Sequence, residues 1–517
     1  MTYDACILGA SFSGSLLAWI LASRGMRVLL VDRGRHPRFA VGESSTPTAD
    51  ACLTRLATRW NLPRLAPLAR YGSWIAAYPE IGRGKKRGFS YFRHLPGRPF
   101  ADGPEHESSL LVAASASDEQ SDTHWLRADV DAFLHRQARL AGVDCREEVA
   151  IVGCDGPGRA AAPEWTLRWR QGSALDPGGS RSRVSSATAP WLIDATGSGG
   201  PLAEHLGLDR LDDTLATRTT AVFGHFAGVR SWDAVQRAAG NDSTIEPFRS
   251  DDAAQHHLLA DGWVWMLRFD DDRCSVGIVS RGDAHDTRAA SPAERFAALV
   301  ADYPSVRGLL ADSRPLVPLV ATPRLSRLWS RGSGRGWAML PTTAGFIDPL
   351  HSTGIAHALS GVERLAELLL APQHDAAAWD AYGERVVDEV RWIDCLVSTC
   401  YDTLGDFELF CLASTCYFLA AVDAERDDRA GIDPPDRGFL SAGKHPLRAA
   451  VTASQTLLRG LVATGHGGVA SGGASSPPDP RTRRDTLARI RDLLAAWDHP
   501  GLLAPAARNR FAHTAAR

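Results

Sequence analysis

Three observations predict an α/β fold: a three-layer domain around a parallel sheet, a second β-sheet region against it, and a helical C-terminal region. The chain opens on a strand–turn–helix–strand pattern, Tyr3–Gly34. A strand running into a glycine turn, Trp191–Gly197, returns to that pattern far downstream, which implies a split domain. Strand patterns then dominate from Ala216 to about Ser280, and long helical patterns follow.

Each element has a local reason. Ala5–Leu8 is a short apolar run of the kind buried on both faces of a parallel sheet. Gly9 and Gly14 bracket a tight turn, and a helix runs through Trp19 to end near Gly25. A second strand, Arg27–Val31, ends in Asp32. This is the Rossmann-like unit that binds a dinucleotide. Gly9 permits the turn, Gly14 lets helix and strand pack closely, and the helix N-terminus offers N–H groups to a pyrophosphate. Ser11 replaces the middle glycine of G-x-G-x-x-G, so the backbone approach to phosphate is slightly impeded or the hydroxyl itself donates. Ser11 and Ser13 therefore join Gly9 and Gly14 as candidate cofactor contacts. Asp32 stands where a carboxylate accepts from ribose hydroxyls, and it favours a 2′-hydroxyl over a 2′-phosphate.

Composition narrows the classes. The 517 residues suffice for two or three domains, and a formal net charge of −3 points to no nucleic-acid partner. The nine cysteines contain no C-x-x-C pair and read as reduced core thiols of a cytoplasmic protein. No secretory signal is evident, and no run approaches the length of a membrane span, so none is expected. Lysine is confined to Lys85, Lys86 and Lys444, which singles out the adjacent pair.

Further along, Gly42–Pro47 is a polar turn feeding a helix from about Thr48, with Ser45 or Thr46 as its cap and Pro47 in the first turn. Ser44 and Ser45 are candidate anion or cofactor contacts. Lys86–His94 reads as an aromatic-rich strand, and Asp102–Asp122 as a polar, mobile loop. Arg127 precedes a helix from Asp129 to Leu140, within reach of a cofactor phosphate or of a surface carboxylate. Gly156–Ser186 reads as a variable hairpin region. The D-A-T-G turn of Asp194–Gly197 suggests a second cofactor contact. G-W-V-W-M-L-R-F and R-C-S-V-G-I-V-S form a hairpin around Asp270–Asp272, expected to cover the substrate side. Trp337–Leu340 is another buried strand, running through G-F-I-D-P-L-H-S-T-G-I into a long helix from about Thr353. The boundaries follow: 1–375, a split nucleotide-binding domain interleaved with sheet at about 85–100 and 211–330; 376–463, helical; 464–481, a flexible linker; 482–517, a helix and tail.

Four segments stand in one order: G-A-S-F-S-G, G-E-S-S-T-P, G-W-V-W-M-L-R and G-F-I-D-P-L-H-S-T-G-I. Together they resemble the flavin-dependent halogenases within the flavin monooxygenase class, over roughly residues 2–371. The resemblance implies FAD as cofactor, reduced by a separate flavin reductase. It implies a flavin hydroperoxide that a bound halide attacks to give hypohalous acid. A lysine then presents this oxidant to an electron-rich aromatic, free or carrier-bound. Asp348, Gly354 and Ile355 are implied cofactor contacts. The amides of Thr353 and Gly354 open a helix and suit a halide.

The catalytic lysine is placed at Lys86, with Lys85 next. In relatives acting on phenols or pyrroles the lysine precedes a G-F-x-F strand, as Lys86 precedes Gly88-Phe89-Ser90-Tyr91; in tryptophan-type members it sits further in, where Ser90 stands. The alternative is a solvated basic turn. Two departures matter. Where the family carries W-x-W-x-I-P, Trp263-Val264-Trp265-Met266-Leu267-Arg268 keeps both tryptophans and loses Ile-Pro, and His351 replaces a glutamate of the tryptophan type. His351 could act as a base or simply pack, and phenols need less such help. The competing readings are an FAD monooxygenase without halide use and a non-catalytic flavoprotein that binds a partner through its helices.

Overall fold

The computed structural model describes residues 1–157, 164–172, 184–241, 247–282, 291–431, 437–465, 479–504 and 509–515. Ala5–Leu8 lies between two parallel strands, Val28–Val31 and Trp191–Asp194, and all four of its residues are buried. Burial on both faces explains why the run carries no polar alternation. Leu8 pairs with both Val31 and Asp194, so three strands end level, where open parallel sheets bind ligands. Asp144–Arg146 extends one edge in parallel, Trp337–Met339 extends the other, and Ser333–Gly334 closes it antiparallel. The helix Phe12–Ala22 is buried from Phe12 to Leu21 because it packs against both Arg127–Leu140 and Thr353–Leu370. The strands of this sheet come from four separated stretches of chain.

Trp165–Gln171 and Val184–Ala189, which fall in or run out of the predicted hairpin region, join the preceding Val149–Asp155 in a three-stranded antiparallel sheet; residues 158–163 and 173–183 lie outside the described residues.

A nine-stranded sheet stands opposite, counted among the described residues. Its central hairpin is Gly262–Arg268 with Cys274–Arg281, as the sequence predicts around Asp270–Asp272. Thr219–Ala227 pairs antiparallel on one side, and Ala254–Leu259 on the other.

The structure corrects three expectations. Lys86–His94 is not one strand. Arg83–Lys86 pairs with Asp122–Trp125, whereas Gly88–Arg93 pairs with Ala254–Leu259 and Ser109–Ala113 in the large sheet. The break falls at Arg87, whose N–H turns out of the ladder to the Asp252 carbonyl, 2.6 Å. Gly88 follows because a Cβ there would lie 2.0 Å from the Val112 carbonyl oxygen. Secondly, the stretch 102–122 is not a featureless loop. Ser109–Ala113 is a fully buried strand, and its S-L-L-V-A run outweighs the acidic and serine-rich flanks. Asp102 anchors it, accepting from the Ser108 N–H at 3.0 Å and from the Ser109 hydroxyl. Thirdly, the last segment is more than a helix and tail. After the helix Pro480–Leu494, residues Arg510–Phe511 add a parallel strand to Ser109–Ala113.

The helical region comprises Ala376–Asp402, Phe407–Arg429 and His445–Gly465. Most of the expected linker lies outside the described residues. Phe407–Arg429 is long and apolar enough to cross a membrane by composition, yet 89% of its most apolar window is buried within the protein, as a core helix requires. The buried Glu389 carboxylate joins this region to the nucleotide domain. It accepts from both terminal nitrogens of Arg364 (2.9 and 2.8 Å), lies 3.1 Å from the His357 ring, and takes the Phe439 N–H at 2.7 Å. All nine cysteines are unbridged.

Candidate active site

The opening turn is built on close backbone approach. Gly9 has φ +96°, and a Cβ on it would stand 2.6 Å from the Ala195 carbonyl oxygen. A Cβ on Gly14 would stand 2.0 Å from the Gly9 carbonyl oxygen, so only glycine lets helix and turn meet. Ser11 is the helix N-cap residue, its hydroxyl 3.3 Å from that of Ser13. Asp32 is held from three sides: the Ala10 N–H reaches it at 2.7 Å, the Gly34 N–H at 2.7 Å and Arg38 at 3.1 Å. These bonds aim its carboxylate at the crevice beyond the strand ends. Across that crevice, Asp194 accepts from the Thr196 N–H at 2.9 Å and the Leu202 N–H at 3.1 Å, which shapes the D-A-T-G turn. Burial raises the Asp194 pKa, against those hydrogen bonds. Gly197 has φ +69°, and nothing stands within 4 Å of where a Cβ would lie, so this turn faces open space.

Arg127 is buried among protein groups. Its guanidinium forms a paired contact with Asp131 (2.9 and 3.0 Å) and donates to the Val41 carbonyl at 2.8 Å and the Gly42 carbonyl at 3.1 Å. Asp131 also accepts the Phe12 N–H at 3.2 Å. Arg127 therefore ties the Gly42–Pro47 turn to the first turn of the nucleotide helix.

That turn carries the lysine site. Thr46 caps the helix Pro47–Arg59, accepting from the Ala49 N–H, and the Ser45 hydroxyl donates to Asp50 at 2.8 Å. The Ser45 carbonyl accepts from Lys86 Nζ. Lys86 is fully buried, with its ammonium 4.0 Å from the centre of the Phe89 ring. Burial pushes the nearby His124 and His256 down to about 3, and the Lys86 charge pushes them in the same direction. Both rings stay neutral. Ser44 bridges to His124, and the Ser44 hydroxyl and His124 Nε2 are buried without a hydrogen-bond partner. Lys85 faces away, between Asp118 at 2.6 Å and Asp252 at 3.2 Å.

The third element is the turn before Thr353–Leu370. Ser352 takes the left-handed conformation (φ 55°), and the helix opens at Thr353, with Gly354 and Ile355 in its first turn. Asp348 accepts from the Thr219 hydroxyl and the Tyr401 hydroxyl, each 2.9 Å, and from the Leu350 N–H at 3.0 Å. Burial pushes its pKa up to about 6. The Trp263 indole N–H donates to Tyr401 at 2.8 Å, which connects the surviving W-x-W motif to Asp348. His351 is fully buried between Tyr91 (3.2 Å to Nδ1) and Cys400 (3.5 Å to Nε2), and its ring stacks on Tyr417 at 4.4 Å. Burial holds it well below the usual histidine range, so it packs as a neutral ring.

Comparison with known proteins decides the family. The profile described as Tryptophan halogenase matches residues 124–405, and that described as NAD(P)-binding Rossmann-like domain matches 7–62. The chain belongs to the tryptophan halogenase family. It is a flavin-dependent halogenase, with FAD as cofactor and a halide as cosubstrate. Tetracycline 7-halogenase of Kitasatospora aureofaciens is 28% identical over 423 residues, covering 79% of this chain and 71% of the relative. Monodechloroaminopyrrolnitrin halogenase of Pseudomonas fluorescens is 27% identical over 418 residues, covering 79% and 69%. The structure of halogenase PltM with phloroglucinol and FAD superposes with TM-score 0.80 at 22% identity, covering 98% of this chain and 99% of that one. The flavin-dependent brominase Bmp2 gives 0.61 at 18%, covering 86% and 94%. These two likenesses concern the fold.

The halogenase's residues fit FAD: the open turn at Gly197 and the partnerless Ser44 hydroxyl leave room and a donor. Phe89, the ring on which the Lys86 ammonium lies, lines a cavity. It is assembled from Thr46–Thr48, Phe89, Val112 and Ala114, the 417–425 face of Phe407–Arg429, and Thr514 with Ala515. Glu425 and the Thr48 hydroxyl, 3.5 Å apart, supply polar groups in this lining. Sequence reasoning missed Glu425, Tyr417 and the 514–515 segment. A helical period in Phe407–Arg429 and the Glu425 charge were visible, but nothing local showed which face lines the cavity.

Proposed function

We propose that this halogenase takes reduced FAD from a separate flavin reductase and halogenates an electron-rich, phenol-like aromatic in the cavity that Phe89 lines. The observation that carries this reading is the buried Lys86 ammonium, held by the Ser45 carbonyl and by the ring of Phe89, which itself lines that cavity. A lysine retained in a dry site is a strong donor at a reacting centre.

Gly9, Ser11, Ser13 and Gly14 cradle the pyrophosphate, Asp32 takes the ribose, and Asp194 and Gly197 line the crevice. Ser44, Ser45, Asp348, Gly354 and Ile355 bound the flavin end. Thr353 and Gly354 present N–H groups to the halide. Arg127 is a positioning residue, because Asp131 and two carbonyls occupy its guanidinium. Bound and reduced, FAD supplies the two-electron oxidation of the halide with O2. Lys86 holds the resulting hypohalous acid by hydrogen bonding and polarises its O–X bond. The ring carbon takes the halogen, that bond breaks, and the released hydroxide leaves with the ring proton as water. Glu425 accepts the hydrogen bond of the substrate hydroxyl, which pushes electron density into the ring. His351 is neutral and enclosed, so it supports Tyr417 and takes no proton. Support for a phenol also comes from the relative crystallised with phloroglucinol, whereas another, from Pseudomonas fluorescens, is a chlorinase of carrier-bound pyrrole-2-carbonyl.

The test supplies anaerobically reduced FAD, then O2, chloride or bromide, and phloroglucinol. The expected product gains mass according to the halide. A hydroxylated product whatever the halide, with rapid direct oxidation of NADH by the purified protein, would establish the monooxygenase reading instead.

A further inference from the structure

We propose that the segment Asn509–Ala515 is the wall that selects the aromatic acceptor, and that it favours a free aromatic over a carrier-bound one. The proposal rests on the halogenation reading above and names the substrate class of that site.

The segment is docked at both ends. The Asn509 carbonyl accepts the Leu111 N–H at 2.9 Å, and the Thr514 N–H donates to the Ala113 carbonyl at 2.8 Å. The Thr514 hydroxyl donates to the same carbonyl at 2.9 Å. Between them Arg510 pairs with Leu111 and Phe511 with Val112. The Arg510 guanidinium donates to the Ser109 hydroxyl at 2.6 Å and carbonyl at 3.2 Å, lies 3.0 Å from His106 Nδ1, and stands 3.6 Å from Asp102. Asn509 and His513 both adopt positive φ, 58° and 54°, so the chain bends at each end of the short strand. The second bend delivers Thr514 and Ala515 to the cavity, where they are 9% and 8% exposed.

The location gives this docking its meaning. Ser109–Ala113 would otherwise be an open edge of the large sheet. Its Val112 and the following Ala114 line the cavity, and the tail bonds to Ala113 between them. The tail therefore closes that side of the cavity with two small side chains. A tethered ring needs a continuous path for its arm, and the docked tail occupies one side of any such path.

The test uses the full chain with FAD bound. Arg510→Ala loosens the dock and Ala515→Trp fills the cavity, while Ala515→Val is a milder filling. Each is measured with phloroglucinol and with a carrier protein bearing pyrrole-2-carbonyl, alongside FAD content as the check on folding. Ala515→Trp is expected to raise KM for phloroglucinol by about tenfold or more, with FAD content unchanged. Ala515→Val should raise it less, and Arg510→Ala should shift the ratio of rates towards the carrier-bound ring. The inference is overturned alone if the wild type halogenates phloroglucinol and all three variants keep its KM and the acceptor ratio. It is also overturned if the wild type halogenates only the carrier-bound ring. If the wild type halogenates neither, the functional reading fails and the acceptor wall with it.

Discussion

The nucleotide turn and the acceptor cavity are built by different means. The turn spans Gly9 to Asp32 and is made of backbone: one left-handed glycine, one glycine too close to a carbonyl for any side chain, and N–H groups aimed by a carboxylate. The cavity is made of side chains from five separated stretches, from Thr46 to Ala515, and none of them forms a motif alone. A site made by backbone tolerates no change at its glycines. A site made by assembled side chains tolerates substitution piece by piece, and so can be retuned to a new acceptor while the cofactor end stays constant.

This contrast can be broken at its strongest point. In Gly14→Leu the new Cβ would fall 2.0 Å from the Gly9 carbonyl oxygen, which is backbone and cannot yield. FAD should be lost from the purified protein by absorbance, and retention of full flavin would contradict the assignment of this turn. At the junction of the two regions, Lys86→Ala should keep FAD and its reoxidation by O2 while halogenated product falls on the order of 100-fold or more. Lys86→Arg should not restore product, since a planar guanidinium does not replace a compact ammonium. Lys85→Ala serves as the contrast. Lys85 is a partly exposed ion-pair residue, and its loss should change product yield little. Normal product from Lys86→Ala together with its loss from Lys85→Ala would move the site by one residue.

A smaller effect is pH-dependent. The Asp348 pKa is raised to about 6 by burial, so folding favours its protonated form. Stability from this group is present at low pH and is lost as pH rises through about 6, by roughly 3 kcal/mol. Asp348→Asn mimics the protonated form. Its stability relative to the wild type, read by urea denaturation, should therefore rise between pH 4 and pH 7, and a flat difference would show that Asp348 is neutralised otherwise. The smallest change expected is in Glu425→Gln, which keeps shape and removes charge. It should lower kcat/KM for a phenol by about tenfold and leave FAD binding alone; an unchanged kcat/KM would remove Glu425 from the site.

Sequence alone was enough for the opening unit, the D-A-T-G return, the capped turn at Thr46 and the choice of Lys86 as candidate. Each depends on neighbours within a few residues, where glycine conformation, capping and strand periodicity act. Arg127 marks the limit: its position near a helix start was legible, but the contact of its guanidinium with Asp131 and with the Val41 and Gly42 carbonyls was not. His351 shows the same limit: sequence left it as a base or as packing, and its enclosure by Tyr91, Cys400 and Tyr417 is visible only in three dimensions. The break at Arg87, the strand Ser109–Ala113 and the return of Arg510–Phe511 to its edge were decided only in three dimensions. Strand partners in a sheet are chosen by hydrogen-bond edges left open elsewhere in the chain, and local sequence does not record which edge is open.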